Sequence, residues 1–263
     1  MSDTSGPLVG RTALVTGGSR GIGRAVALRL AADGAVVAVN YRRDDDAAVE
    51  TVNRITAAGG TARAYRAAIG DPDAVTAMVT AVRAEVGPVD LLVSNAGTAS
   101  RGTAIADTDE SEYLRLLRVH ALGPLALVRE LLPDLRAAQR SDVVVVSSVI
   151  TDDMPAGGAA YAMAKAALEA GARTLAAEER DHGVRVNIVA PGLVATEMGS
   201  RLVAATAGTT IEDLDEVYPF GRVARPEDVA GVVAFLASAD AGYLTGERIR
   251  VHAGGPARTL HRR

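Results

Sequence analysis

Short apolar runs alternate with longer stretches of helical periodicity along almost the whole chain. The first run covers residues 12–16 (TALVT), and the helical stretch after it ends at Asp33-Gly34. Alternation of this kind indicates right-handed βαβ crossovers and a parallel sheet. The run Val143-Val-Val-Val146 is apolar at every position, which is typical of a strand covered by helices on both faces. The pattern therefore predicts an α/β fold with a doubly wound parallel sheet of about seven strands.

The same repeating unit can be followed to the end of the chain. The predicted strands are 12–16, 35–40, 61–67, 89–94, 142–147, 185–190 and 248–251, and the predicted helices are 22–32, 44–58, 71–86, 110–138, 159–180 and 226–237. No linker rich in Pro or Ser interrupts the pattern, so we expect residues 1–263 to form a single domain. Residues 1–8 and 257–263 are predicted to be flexible tails. Residues 194–220 exceed an ordinary connection, and we expect short helices there that form a lid over the site.

Composition excludes several classes of function. The chain has no cysteine, so it has neither disulfides nor a cysteine nucleophile, and its four histidines show no metal-ligand spacing. We therefore expect no metal site. The formal net charge is −4, which gives no global attraction to nucleic acid or to an anionic membrane. The polar N-terminus and the lack of a long apolar run predict a soluble, cytoplasmic protein.

A glycine-rich turn follows the first predicted strand directly. Residues 16–23 read TGGSRGIG and run into the first predicted helix. The glycine spacing differs from the usual G-x-G-x-x-G fingerprint. The physical use is the same, because glycine permits a tight turn and the helix N-terminus offers free N–H groups to a pyrophosphate. The position of the turn predicts a dinucleotide site.

The end of the second predicted strand bears on the choice of dinucleotide. NAD-binding proteins place an acid there on the ribose hydroxyls, whereas this chain reads Tyr41-Arg42-Arg43 before its first acid, Asp44. Arg42 and Arg43, with Arg20 of the glycine turn, have the geometry to bind a 2′-phosphate. Alternatively, Arg42 and Arg43 are solvated and pair with the acids at 44–46. We favour NADP(H) over NAD(H).

Three side chains form the candidate chemical group. Tyr161 and Lys165 are four residues apart on a predicted helix and so share one face. A nearby cation favours the ionised form of a phenol, so Tyr161 is a candidate acid or base near neutral pH. Ser148 follows the preceding strand, at the sheet edge where ligands of open parallel sheets bind. Its hydroxyl can donate a hydrogen bond to a carbonyl oxygen.

These motifs, in this order, resemble the short-chain dehydrogenase/reductase family. The resemblance is to its short-subunit type, close in pattern to the 3-oxoacyl-[acyl-carrier-protein] reductases, and it covers residues 9–255. The matching segments are residues 16–23, 94–97 (SNAG), Ser148, Tyr161 with Lys165, 187–192 (NIVAPG) with Thr196, and 221–228 (GRVARPED).

The resemblance implies a Rossmann fold and a role for each matching residue. Tyr161 would donate a proton to the substrate oxygen, Lys165 would lower the pKa of Tyr161 and hold the nicotinamide ribose, and Ser148 would polarise the carbonyl. The implied cofactor-binding residues are Gly17, Ser19, Arg20, Gly21, Ile22, Gly23, Tyr41, Arg42, Arg43, Ile69, Asn95, Ala96, Gly97, Tyr161, Lys165, Pro191, Gly192, Val194 and Thr196.

Two of the positions that depart from the family pattern bear on the cofactor and the proton relay. His120 stands where the family usually has an Asn that holds a water relay to the lysine. We interpret His120 as a relay residue working through its imidazole, with a packed helix residue as the alternative. Ala68 stands where an Asp often contacts the adenine, so adenine binding should rely on the backbone near Ile69 and on apolar contacts.

The leading prediction is an NADPH-dependent oxidoreductase that reduces a ketone or 3-oxoacyl carbonyl to the alcohol, or catalyses the reverse. One alternative is a catalytically silent NADP-binding regulator or scaffold, and another is an epimerase or dehydratase on the same fold. The expected partner is a small-molecule or acyl-linked carbonyl substrate. By analogy with the family, and from apolar helix faces at 114–135 and 159–177, we expect a homotetramer or homodimer.

Overall fold

A computed structural model describes residues 6–255 of the protein. The strands are β1 (Thr12–Val15), β2 (Val36–Tyr41), β3 (Thr61–Arg66), β4 (Leu91–Ser94), β5 (Ser141–Val146), β6 (Val184–Pro191) and β7 (Arg248–Val251). The α-helices are α1 (Gly21–Ala32), α2 (Asp45–Ala57), α3 (Pro72–Glu85), α4 (Glu110–Leu117), α5 (Gly123–Ala137), α6 (Ile150–Asp153), α7 (Ala159–Glu179), α8 (Glu197–Ala207) and α9 (Pro226–Ala237). Apart from the single helix expected at 110–138, the predicted strands and helices agree with these bounds to within two residues.

Over the described residues, the strands form one parallel sheet of seven, in the order β3-β2-β1-β4-β5-β6-β7. The doubly wound parallel sheet predicted from the sequence is confirmed. The strand order reverses between β1 and β4, so the connections leave opposite sides of this point and open a crevice at the carboxyl ends of the strands. Residues that follow β1, β4 and β5 therefore line one edge of the sheet.

Helices cover both faces of the sheet, which explains the continuously apolar strands. In β5, Val144 and Val146 pack in one core with α1 and α9, while Val143 and Val145 pack in a second core with α3, α5 and α7. Successive strand residues point to opposite faces, so both sets must be apolar. Valine and leucine fill both cores, in keeping with the low aromatic content of 3%.

The prediction of a single helix at 110–138 is wrong for residues 118–122. The structure has two α-helices, α4 and α5, joined by a π-helical turn at Arg118–Leu122. Pro124 has no N–H and cannot make the α-helical bond to the carbonyl of His120, so the backbone widens there. The turn buries His120.

The long connection at 194–220 contains short helices, as expected. It holds α8, followed by short 3-10 helices at Glu212–Val217 and Pro219–Gly221. Val203, Ile211, Leu214 and Val223 form a small apolar cluster separate from the two main cores. The connection thus has a core of its own.

The flexibility predicted for both tails concerns segments that extend outside the described residues. Residues 1–5 and 256–263 are not described, and for them it stays a prediction. Leu8, at the end of the predicted N-terminal tail, is fully buried, and its N–H donates a 2.9 Å hydrogen bond to Asp33 O. None of the helices within residues 6–255 is both long enough and apolar enough to cross a membrane.

Candidate active site

The glycine-rich turn lies between the end of β1 and the start of α1, and it contacts the end of β4. A Cβ atom on Gly23 would lie 2.1 Å from the carbonyl oxygen of Gly17, so only glycine fits at this crossing. Asn95 Nδ2 donates to Thr16 O at 2.9 Å and to Gly17 O at 3.3 Å, which fixes the turn to the residue after β4. The first turn of α1 carries no acidic side chain. The turn therefore offers a narrow backbone cradle and an unopposed helix N-terminus, which fit a pyrophosphate.

The end of β2 presents two unpaired arginines. Arg42 and Arg43 are exposed, and neither forms an ion pair with any residue in the range 6–255. The alternative that they pair with the acids at 44–46 is not observed. Asp44 instead caps α2 by accepting from Ala47 N at 3.0 Å, and it pairs with Arg20.

Arg20 connects the glycine turn to the long connection. Its guanidinium pairs with Asp44 and, at 2.8 Å, with Glu197 at the start of α8. The methyl group of Thr196 lies 3.3 Å from the position of a Cβ on Gly21. The base of α8 thus lies directly against the glycine turn.

The other predicted cofactor residues follow the carboxyl ends of the strands or flank the turn. Ser19 and Ile69 are buried, Pro191 ends β6, and Thr196 caps α8 by accepting from Gly199 N at 3.0 Å. The rest of this set comprises Ile22, Tyr41, Ala96, Gly97, Gly192 and Val194.

Lys165 is buried against the end of β5. Its ammonium donates a 2.8 Å hydrogen bond to the carbonyl oxygen of Val146, the last residue of that strand. Ser148 follows two residues later, and Tyr161 lies one turn earlier on α7 with its ring centroid 5.7 Å from Lys165 Nζ. The three candidate residues therefore converge on the region between β5 and α7.

The electrostatics of Tyr161 differ from the expectation. Burial raises the pKa of Tyr161 to about 12, whereas the neighbouring lysine was expected to lower it. The cause is removal of the phenol from water, which disfavours the phenolate. Lys165 is itself affected, because burial lowers its pKa to about 8. Tyr161 is thus protonated at neutral pH, the form required of a proton donor.

His120 contacts the same group from the π-helical turn. Its ring packs edge-on against Tyr161, with 5.0 Å between centroids. Its Nε2 atom lies 2.9 Å from Thr98 O and 3.1 Å from Thr98 N, while its Nδ1 atom is buried without a partner among the described residues. Burial and then the charge of Lys165 lower the pKa of His120 to about 3. The imidazole is therefore neutral at physiological pH.

Gly97 makes room for this imidazole. A Cβ atom at Gly97 would lie 2.7 Å from His120 Cε1. The glycine predicted to flank the cofactor thus also packs against the predicted relay residue.

Two functional candidates were missed from the sequence. Glu169 is buried on α7 one turn after Lys165, and Arg248 begins β7. The repeat of four residues from Tyr161 to Lys165 to Glu169 was a usable signal. Arg248 gave none, because its contacts lie far away in the sequence.

The comparisons with known proteins agree with this fold. A family model described as Enoyl-(Acyl carrier protein) reductase matches residues 17–255. An uncharacterized oxidoreductase of Methylorubrum extorquens is 40% identical over 94% of this chain and 98% of its own. A 3-oxoacyl-[acyl-carrier-protein] reductase of Staphylococcus aureus is 34% identical over 93% of this chain and 97% of its own.

Solved structures give the same result. A short-chain dehydrogenase/reductase of Serratia marcescens superposes with a TM-score of 0.86 at 32% identity, over 94% of this chain and 98% of its own. A short-chain dehydrogenase of Burkholderia cenocepacia in complex with NADP has a TM-score of 0.85 at 33% identity, over 94% and 98%. A 7α-hydroxysteroid dehydrogenase in complex with NADH has a TM-score of 0.88 at 27% identity, over 98% and 99%.

The chain belongs to the short-chain dehydrogenase/reductase family. Its similarity to 3-oxoacyl-[acyl-carrier-protein] reductases over most of its length confirms the resemblance read from the motifs. It is accordingly an oxidoreductase that acts on CH–OH and C=O groups.

Proposed function

We propose that this protein reduces a ketone or 3-oxoacyl carbonyl to the alcohol with NADPH, or catalyses the reverse reaction, and that Tyr161 is the proton donor. The observation that carries the proposal is the hydrogen bond from Lys165 Nζ to Val146 O. It ties the helix that bears Tyr161 to the strand end that leads into Ser148. A carbonyl held between the two hydroxyls would meet one proton donor and one hydrogen-bond donor.

Each hydroxyl has the chemistry that its role requires. The raised pKa of Tyr161 keeps its proton in place until negative charge develops on the substrate oxygen. Ser148 Oγ accepts a 3.2 Å hydrogen bond from Ile150 N and donates to no group within residues 6–255. Its proton is therefore available to polarise a carbonyl. The ammonium of Lys165 would favour the tyrosinate that remains after transfer and would hold the ribose.

A nicotinamide dinucleotide fits the glycine turn, and when bound it supplies the hydride. We infer NADP(H) rather than NAD(H), because Arg42 and Arg43 are exposed, unpaired and adjacent to Asp44, the cap of α2. A 2′-phosphate there would also attract Arg20, which it would share with Asp44 and Glu197. Related structures have been solved with NADP and with NADH, so the choice must be measured.

His120 acts in this proposal as a neutral relay. Its Nε2 atom faces both the carbonyl and the N–H of Thr98, so it has a partner whether or not it carries the proton. When Nε2 carries the proton, Nδ1 is an acceptor. When Nε2 does not carry it, Nδ1 does and is a donor. Because the pKa of His120 is lowered to about 3, the imidazole stays neutral, and its unpartnered Nδ1 atom would hold a relay water by a hydrogen bond in either tautomer.

The remaining parts of the proposal concern organisation. We infer one domain over 1–263, with residues 194–220 as the substrate lid, since Arg20 links α8 to the glycine turn. A homotetramer or homodimer is supported by exposed apolar side chains on the turn and helices around the site, among them Leu114, Leu122 and Met163. A cytoplasmic location completes the proposal.

The test is to mix the protein with NADPH or NADH and a panel of β-ketoacyl thioesters and simple ketones, and to follow the absorbance of the reduced cofactor. Turnover with NADPH and a carbonyl is the expected result. An enoyl thioester is included because the matching family model is described as an enoyl reductase. Tight NADPH binding without any turnover would favour a silent regulator, and conversion of a sugar or hydroxy substrate without net cofactor oxidation would favour an epimerase or dehydratase.

A further inference from the structure

Glu169 is a buried carboxylate that the proposed chemistry does not use. It lies on α7 one turn after Lys165, and the residue is 4% exposed. Its Oε1 atom accepts three hydrogen bonds, from Ser147 Oγ at 2.6 Å, from Thr151 Oγ1 at 3.1 Å and from Arg248 Nε at 2.9 Å. A charge is buried in this way only where several partners compensate the loss of water. Its partners here lie on both sides of Ser148 in the chain.

Arg248 completes the arrangement from β7. Besides Glu169, its guanidinium donates to Ser148 O at 3.2 Å, to Thr151 Oγ1 at 2.7 Å and to Asp152 Oδ2 at 3.0 Å. Its side chain is only 13% exposed. The planar guanidinium directs these donors in fixed directions, so it holds the backbone of Ser148 and the start of α6 together.

The two side chains together join three elements. Glu169 is on α7, the helix that carries Tyr161 and Lys165, and Arg248 is on β7. Both contact the segment 147–152, which carries Ser148. The position of Ser148 relative to Tyr161 is therefore set by an ion pair whose members lie 79 residues apart in the chain.

The charge of Glu169 also acts on Lys165. It raises the pKa of Lys165 against the effect of burial. Arg173 contacts the other oxygen, Oε2, at 3.4 Å, and its side chain is 54% exposed. The Oε1 atom of Glu169 thus faces the segment 147–152, and its Oε2 atom faces Arg173 at the surface.

We infer that Glu169 and Arg248 are positioning residues that hold Ser148 in register with Tyr161 and Lys165. The inference rests on the proposed function, in which Ser148 and Tyr161 bind one carbonyl oxygen. Neither residue touches the reacting atoms. Their effect on catalysis comes through the backbone and hydroxyl positions of the segment 147–152.

The chain offers a matched control in Glu179. It is on the same helix, its side chain is 3% exposed, and it forms a bidentate pair with Arg136 at 2.8 Å and 2.6 Å. It has no contact with the segment 147–152. Glu179→Gln therefore removes a buried charge from α7 without loosening Ser148.

The experiment compares Glu169→Gln, Arg248→Met and Arg248→Lys with Glu179→Gln. We expect Arg248→Met to lower kcat on the order of 10- to 100-fold, the loss typical of a misplaced polarising group, while the Kd for NADPH changes by less than about twofold. Arg248→Lys keeps the positive charge but loses the planar guanidinium with its fixed donors. Its kcat should therefore lie between that of Arg248→Met and that of the unaltered protein. Glu179→Gln should lose stability and keep kcat.

Hydrogen–deuterium exchange of the segment 147–152 provides a readout that does not depend on turnover. Faster exchange in Arg248→Met than in Glu179→Gln is expected, and it would support the inference even if no carbonyl were reduced, in which case only the proposed function would fail. If Arg248→Met does not fold, Thr151→Val removes one hydroxyl that contacts both Glu169 and Arg248 and gives the same comparison. Unchanged kcat together with unchanged exchange in a folded variant would overturn the inference.

Discussion

Lys165 and Val146 are joined by a 2.8 Å hydrogen bond from a buried ammonium to the carbonyl at the end of β5. This bond joins two segments that are separate in the chain. Ser148 lies two residues after Val146, and Tyr161 lies one helical turn before Lys165, so the bond brings the two hydroxyl-bearing residues towards each other. Burial lowers the pKa of Lys165 to about 8, so a modest rise in pH above neutrality removes its positive charge.

This pKa leads to a prediction about pH. The ammonium is the form that binds the ribose, and it is lost as the pH rises through about 8. We expect kcat/KM for NADPH, which reports groups of the free enzyme, to fall above that pH. His120, with a pKa of about 3, and Tyr161, with a pKa of about 12, should add no inflection between pH 5 and pH 8. A rate that rises steadily through pH 8 would contradict the assignment.

Cofactor choice is predicted to depend on the arginines after β2. Arg42→Ala and Arg43→Ala each remove a charged donor from the proposed 2′-phosphate site. Each should weaken NADPH binding by about 1.5–3 kcal/mol, or roughly 10- to 150-fold, and leave NADH binding nearly unchanged. Fluorescence titration with both cofactors measures the two effects. Arg54→Ala, an exposed arginine of α2 that lies 4.0 Å from Glu50, is the control and should alter neither affinity.

The relay prediction concerns His120. His120→Phe keeps an aromatic ring against Tyr161 but has no nitrogen, so we expect kcat to fall by about 10- to 100-fold, at or below the usual range for direct acid–base catalysis. His120→Asn restores a donor and an acceptor and should recover much of that loss. The comparison is made by steady-state kinetics over a range of pH. If His120→Phe left both the rate and its pH profile unchanged, His120 would be a packing residue.

Stability should depend on a buried ion cluster at the opposite edge of the sheet. Asp142 is 2% exposed, and it pairs with Arg11 at 3.0 Å and with Arg185. Asp142→Ala leaves Arg185 without a carboxylate partner and Arg11 with Asp90, and it should lower the free energy of unfolding by about 3–5 kcal/mol. Urea unfolding measures this. The exposed Asp181, in Asp181→Ala, should change it by less than about 0.5 kcal/mol.

The sequence was sufficient to predict the elements, and which candidate site residues lie near one another, where these depend on local pattern. Strand and helix periodicity predicted the parallel sheet, and motif spacing predicted that Ser148, Tyr161 and Lys165 share one sheet edge. The break at Arg118–Leu122 was missed, although Pro124 in the middle of the predicted helix 110–138 was a usable signal. An interior proline removes an α-helical hydrogen bond.

Other features depend on contacts that no local pattern contains. The pairing of Glu169 with Arg248, and of Arg20 with Glu197, joins residues remote in the chain. Whether the pKa of Tyr161 is raised or lowered depends on how far the phenol is removed from water. The spacing of residues along a helix does not report this.

The role of Tyr161 as proton donor is tested most directly by the kcat of Tyr161→Phe for NADPH-dependent carbonyl reduction, measured beside the Kd for NADPH. The substitution keeps the ring that packs against His120 and removes only the hydroxyl. We expect kcat to fall by about 10²- to 10⁴-fold with NADPH still bound. A Tyr161→Phe variant that binds NADPH and keeps the rate of the unaltered protein would show that Tyr161 is not the proton donor.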